Sequence, residues 1–235
     1  MNGLVILIGE TFRKGGQNSR NRGSPEAYDG QIEACNSHIR FIEHTCSKYK
    51  LNSFSVYIAS YNTQYNNNLL SVYKKYLIGH IFYENVIGIN TLFHNSFNNI
   101  ENKENYDFIL FIRIDLFLKQ YFTDVFNPTI NKILLPSICW YRDCRYNNIP
   151  RVNSILVYVP KKYYKYIKNI SFYHDLWLKI INSTDLTVED LDVMINTYHD
   201  SDSEKDYNPL YYIVNRNQCE IFHSEDYIFD KYKFV

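Results

Sequence analysis

The sequence lacks a net charge: 25 basic side chains balance 25 acidic ones over 235 residues. A non-specific nucleic-acid binder carries a basic surplus, so nucleic acid is not an expected partner. Paired cysteine motifs are lacking too. Cys35, Cys46, Cys139, Cys144 and Cys219 are odd in number and form no CxxC. Their spacing suits neither a zinc site nor a disulfide framework, and free thiols in a reducing, cytoplasmic setting are expected. No apolar run reaches the ~20 residues of a membrane-spanning helix. The opening MNGLVILIGETFRKGG puts no basic segment ahead of its short apolar run, so it reads as a strand and not as a secretion signal. Neither a Walker A loop (no GK[ST]) nor a dinucleotide fingerprint (no GxGxxG) follows it. Repeats and linkers are missing as well, which favours one domain over residues 1–235.

What is present is an apolar content of 46%, with 23 Tyr and 15 Phe, enough for a large core filled mainly by aromatic rings. Gly3 to Gly9 reads as a buried strand. Glu10 to Gly23 is a loop with Gly15, Gly16 and Gly23 and four cations, Arg13, Lys14, Arg20 and Arg22. Ser24-Pro25 starts a long helix as cap and first residue, with Ile32, Cys35, Ile39, Ile42, Cys46 and Tyr49 as its apolar stripe. Strands are expected over Ser53–Ser60 and Ile81–Ile87, and helices over Leu69–Ile78, stopped at Gly79, and Thr91–Ile100. Next comes Tyr106 to Leu118, YDFILFIRIDLFL. Its unbroken apolar run suits a strand buried on both faces. Strands alternating with helices predict an α/β fold with a mostly parallel sheet. In the second half, short strands are expected at Lys132–Leu135 and Ser154–Val159, closed by Pro136 and Pro160. Helices are expected at Lys161–Lys168, Phe172–Ile181 and Thr187–Asn196, the last capped by Thr187. Closing strands follow at Leu210–Asn215 and Cys219–His223.

Four constellations carry possible chemistry. In a strand, residues i and i+2 share a face, so Arg113 and Asp115 are expected side by side at the C-terminal end of the central strand. Ligands of open α/β sheets bind there. The guanidinium suits a phosphate and the carboxylate a divalent metal or a sugar hydroxyl; a structural ion pair is the alternative. The basic loop suits phosphate through backbone N–H groups and cations, with Arg13 nearest the strand end. His199-Asp200-Ser201-Asp202 sets hard oxygen ligands at alternate positions, as Mg²⁺ or Mn²⁺ prefers, or is an acidic surface loop. His174-Asp175 precedes an apolar helix and reads as a cap or as a general base. Cys139, Trp140 and Tyr141 suit either stacking on a sugar ring or core packing.

The strand–loop–helix opening with GETFR (Gly9 to Arg13) and the later YDFILFIRIDLFLK resemble the GT-A type of nucleotide-sugar glycosyltransferase. More narrowly, they are similar to WavE-like bacterial polysaccharide and large-DNA-virus transferases, which have R-x-D where other members have D-x-D. The resemblance covers most of the first 120 residues. It implies a GT-A-like fold in which residues 1–120 bind the nucleotide-sugar and residues 121–235 form a smaller acceptor and catalytic half. Gly9, Thr11, Arg13 and Arg113 would lie on the donor. Asp115 would take the place of the last Asp of D-x-D, where Mn²⁺ or Mg²⁺ bridges the diphosphate, with Asp200 and Asp202 as further metal contacts. Arg113 would reduce or remove the need for that ion. Asp175 is similar in placement to the acceptor-side base, with His174, Trp140 and Tyr141 toward the acceptor. The implied reaction moves a sugar from a nucleotide-diphosphate donor to a hydroxyl of a glycan or similar acceptor. Two other classes compete: a non-catalytic nucleotide- or glycan-binding module of the same fold, and a metal-dependent phosphohydrolase using Asp115 with Asp200 and Asp202.

Overall fold

A computed structural model describes residues 1–15, 21–139, 151–152, 156–167, 177–195 and 210–214. The first half is a βα alternation: β1 (Asn2–Ile8), α1 (Tyr28–Tyr49), β2 (Ser53–Tyr61), α2 (Asn66–Tyr73), β3 (Leu77–Tyr83), α3 (Ile89–Asn99) and β4 (Phe108–Arg113). β5 (Leu116–Leu118), α4 (Gln120–Val125), β6 (Ile133–Cys139), β7 (Arg151–Val152), β8 (Leu156–Pro160), β9 (Leu191–Ile195) and β10 (Tyr211–Ile213) follow. Short helices at Tyr164–Ile167 and Trp177–Asn182 complete the described elements.

The main sheet has eight strands among the described residues, in the order β3-β2-β1-β4-β8-β6-β7, with β9 against β6. β3, β2, β1 and β4 run parallel. β8 pairs antiparallel with β4, and β9 runs parallel to β6. The result is the α/β architecture with a mostly parallel sheet that the alternation of strands and helices predicts. Period-2 alternation sorts each central strand between two cores. Val5 and Leu7 of β1 and Phe108, Leu110 and Ile112 of β4 join Phe41, Ile42, Phe122 and Phe126 on the side of α1 and α4. Leu4, Ile6 and Ile8, with Ile109 and Phe111, join Leu92, Phe93 and Phe97 of α3 on the other side. Both faces of the sheet are therefore covered, as an apolar parallel strand requires.

Several expected boundaries move. Gly79 does not stop a helix. α2 ends at Tyr73 and Gly79 lies inside β3, paired with Tyr57. A Cβ there would stand 3.0 Å from the Tyr57 ring, so the glycine serves close packing of an aromatic across the strand pair. Pro136 does not close a strand; β6 runs through it to Cys139. It falls between the pairing of Leu134 with β8 and that of Ile138 with β7. The helix expected at Thr187–Asn196 is not formed over the described residues 187–195. Thr187 and Asp190 form a capping box on a single 3-10 turn, Val188–Asp190, and β9 follows. The run LDVMI had a second solution, a strand at the sheet, and the pairing with β6 decided for it. Ser24-Pro25 do open a helical segment, as a 3-10 turn leading into α1. The strand expected at Cys219–His223 lies outside the described residues.

Candidate active site

β1 leads left to β2 and β3, while β4 lies on its other side. The carboxyl ends of β1 and β4 thus meet at a topological switch point, where open α/β sheets leave a crevice for ligands. Two short segments meet in it. After β1 come Gly9, Glu10, Thr11, Phe12 and Arg13. After β4 come Ile114 and Asp115, a turn leading into β5.

Arg113 and Asp115 are side by side, as expected, but not for the reason expected. The strand ends at Arg113, so it is a turn that brings the two together. The guanidinium of Arg113 pairs with the carboxylate: Nη2 donates to Oδ2 at 2.8 Å, and Nε lies 2.7 Å from Oδ1 as an ion pair without hydrogen-bond geometry. Arg13 reaches the same carboxylate from the other segment, its Nη2 3.4 Å from Oδ2. Nη1 of Arg13 donates to Glu10 Oε2 at 3.1 Å. Glu10, Arg13, Asp115 and Arg113 form an alternating row of charges. Asp115 is 2% exposed and Arg13 7%; only the side chain of Arg113, at 18%, is notably open. In a site this dry, charges interact strongly, and paired carboxylates are what make two adjacent arginines tolerable.

The backbone around the row is specialised. Gly9 has φ +120, a region closed to most side chains, and a Cβ there would meet Arg113 Cγ at 3.4 Å. Its carbonyl accepts from Ser60 Oγ at 2.7 Å, and Ser60 also faces Thr11 Oγ1 at 3.4 Å. Thr11 is fully buried. Phe12 has φ +49, and its ring packs between Tyr28 and Tyr65. Beyond it, Lys14 and Asn21 exchange backbone hydrogen bonds across the loop. Arg22 returns over the Tyr61 ring at 4.9 Å. Burial raises the Tyr61 phenol above its ordinary pKa, with the negative charge of Glu10 adding to the rise and Arg22 opposing it.

Sequence periodicity missed the polar floor of this site. The buried face of α1 includes Gln31, Ser37 and His38, whereas Ile32 and Ile39 of the expected stripe are only half-buried. Gln31 Oε1 accepts from Phe12 N–H at 3.1 Å, and Gln31 Nε2 donates to the Ile114 carbonyl at 2.8 Å. His38 lies 2.7 Å from both the Tyr73 hydroxyl and the Leu116 carbonyl. Ser37 Oγ accepts from Leu118 N–H at 3.0 Å. Burial lowers the His38 pKa to about 4, so the imidazole is neutral at pH 7. The available signal was the spacing 31, 35, 38, 42, 45, which is helical but mixes polar with apolar types.

Among the residues expected at the site, Gly9, Thr11, Arg13, Arg113 and Asp115 come together. Trp140, Tyr141, His174, Asp175, Asp200 and Asp202 lie outside the described residues. The described residues do not supply a metal cage: among them no group of three or more His, Cys, Asp or Glu stands together. Both Asp115 oxygens already face guanidinium nitrogens, and a divalent cation there would meet two other cations. No helix among the described residues is long and apolar enough to cross a membrane.

No protein-family model and no curated protein matches the sequence. Solved structures do overlay on it. The galactosyltransferase LgtC, in complex with donor and acceptor sugar analogs, superposes with a TM-score of 0.42 at 9% identity, over 81% of this chain and 72% of that one. The inositol-1-phosphate CTP transferase from T. maritima gives a TM-score of 0.43 at 12% identity, over 92% of this chain and 89% of that one. A glycosyltransferase involved in the glycosylation of the major capsid of PBCV-1 gives 0.35 at 8% identity, over 71% of this chain and 63% of that one. These are similarities of overall arrangement, and the functional reading rests on the charged row at the switch point.

Proposed function

We propose that the chain is a nucleotide-sugar-dependent glycosyltransferase of the GT-A kind, with its donor diphosphate at the switch point between β1 and β4. The observation that carries this is the convergence of Arg13 and Arg113 on Asp115 at that crevice, beside a glycine with φ +120. Sugar transfer leaves negative charge on the departing diphosphate. Preorganised cations aimed at that charge lower the barrier. In this reading Arg13 and Arg113 face the diphosphate, and Asp115 fixes both guanidinium planes in advance, so that little reorganisation accompanies bond cleavage. Gly9 lets backbone approach the ligand closely. Asp175 is proposed as the base that takes the acceptor hydroxyl proton, with His174, Trp140 and Tyr141 on the acceptor side. If an Mn²⁺ or Mg²⁺ ion binds, it supplies Lewis-acid stabilisation of the same diphosphate; Asp115, Asp200 and Asp202 are the residues proposed to hold it. The two arginines already place positive charge there, so we propose that transfer needs no ion.

A thermal-shift screen against UDP, GDP, CDP and dTDP, each with and without Mn²⁺, tests this directly. A diphosphate at about 100 times its Kd stabilises the fold by ~2.7 kcal/mol. One nucleotide should give a clear shift in the absence of metal. Silence from all four would sink the transferase reading. A shift without turnover of the matching sugar donor would favour the non-catalytic binding module, a reading that the pairing of Asp115 with two guanidinium groups also allows.

A further inference from the structure

We infer that Gln31 is the positioning residue that sets Arg13 against Asp115, joining the loop after β1 to the turn after β4 through one buried side-chain amide. Its relevance to a diphosphate ligand rests on the function proposed above; its role in holding the two segments does not. Gln31 is fully buried on α1. One amide reaches both segments: Oε1 takes the N–H of Phe12, the residue before Arg13, and Nε2 gives to the carbonyl of Ile114, the residue before Asp115. A third contact, Nε2 to Cys35 Sγ at 3.7 Å, lies within α1 and fixes the orientation of the amide.

Each end of this bridge falls where the backbone needs it. Phe12 has φ +49, a conformation that persists only when the surroundings over-determine it. The Ile114 N–H is taken by the Ile8 carbonyl, and Gln31 satisfies the carbonyl of the same residue. Charged side chains held by 2.7–3.4 Å contacts tolerate little drift. A displacement of about 1 Å in a positioned group costs as much as ~100-fold in function. An amide accepts on one atom and donates on another with no net charge. A glutamate or lysine here would add a charge to a balanced row.

The test uses the full chain and two readouts. Hydrogen exchange of Gln31→Met should rise together in the peptides covering 9–13 and 114–116, with β2 and β3 unchanged. Its affinity for inorganic pyrophosphate should fall by about 10–100-fold. Thr45→Val is the control: it sits on the same buried face of α1, about 21 Å along the helix, and should alter neither readout. Gln31→Glu separates the two arms once its carboxyl is ionised, since a carboxylate keeps the acceptor for Phe12 but loses the donor to Ile114. Burial favours the neutral acid, which still donates, so this variant is read at pH 9 against wild type at the same pH. It should release 114–116 while protecting 9–13, and it serves if the methionine variant does not fold. Unchanged exchange in either segment of Gln31→Met overturns the inference. So does raised exchange with wild-type pyrophosphate affinity. If exchange rises but neither protein binds pyrophosphate, the donor-site reading fails and the positioning role stands.

Discussion

Asp115 is the residue on which both arginines depend. With its carboxylate 2% exposed and approached from two sides, removing it takes from both guanidinium groups the carboxylate they share. Loss of one member of a buried pair costs ~3–5 kcal/mol. Asp115→Ala should cost at least the lower figure in urea unfolding, because Arg13 keeps Glu10 but Arg113 loses the carboxylate it pairs with. A cost near zero would mean that water reaches the row. His38 gives a second prediction at this scale. Its pKa is about 4 when folded, lowered by burial from 6.5. Between those values the unfolded chain binds the proton and the folded chain does not. The stability His38 contributes is therefore complete above about pH 6.5 and declines as pH falls toward 4, by ~1.4 kcal/mol per pH unit at most. Unfolding midpoints at pH 7 and pH 5 should differ more for wild type than for His38→Gln. Equal differences would exclude a titrating His38.

At the scale of elements, β1 and β4 are packed too closely to accept a methyl group between them. A Cβ on Gly3 would stand 2.5 Å from the Phe108 ring, and that ring is fixed among Phe54, Phe126 and Tyr158. Gly3→Ala should destabilise by ~1–3 kcal/mol, the usual cost of overpacking, with a smaller loss if Phe108→Leu is added. Absence of that rescue in a double-mutant cycle would place the strain elsewhere. At the other end of the same strand, Gly9→Ala meets a different obstacle: φ +120 and the Arg113 side chain at 3.4 Å. The positive φ strains any side chain, so Gly9→Ala should lower stability by ~1 kcal/mol or more, and under the proposed function it should also weaken nucleoside diphosphate binding. Binding at the wild-type level would make Gly9 merely a turn residue.

At the scale of the molecule, the described residues of both halves pack into the same two cores, one on each face of the sheet. Tyr158 of β8 packs on Phe108 and Phe126, and its hydroxyl donates to the carbonyls of Pro128 and Ile130. β8 is hydrogen-bonded along β4. β10 closes on β5, and Val214 N–H donates to the Asp115 carbonyl at 2.9 Å, so residues far along the chain support the site. One cooperative unfolding transition is expected, with near-UV and far-UV signals coincident. Two separated transitions would show that residues 1–120 form an independent unit.

The sequence by itself determined the alternation of strands and helices in the first half, because an apolar run of β-branched and aromatic types such as Phe108 to Ile112 has no better place than a doubly covered strand. It also pointed to Arg13, Arg113 and Asp115, since charges at the carboxyl end of a buried strand stand where ligands of open α/β sheets bind; Gly9 came only with the family resemblance. Only the tertiary structure decided how they meet. Asp115 lies in a turn, and Arg13 arrives from a loop about a hundred positions away because β1 and β4 are neighbours in the sheet. Local pattern could not show that Gly79 belongs to a strand or that 191–195 is β9, because there the pairing partner outweighs local propensity. Nor could it mark Gln31 and His38 as buried. A polar side chain on a helix reads as exposed until the backbone groups that satisfy it, at Phe12, Ile114 and Leu116, are brought within hydrogen-bond reach.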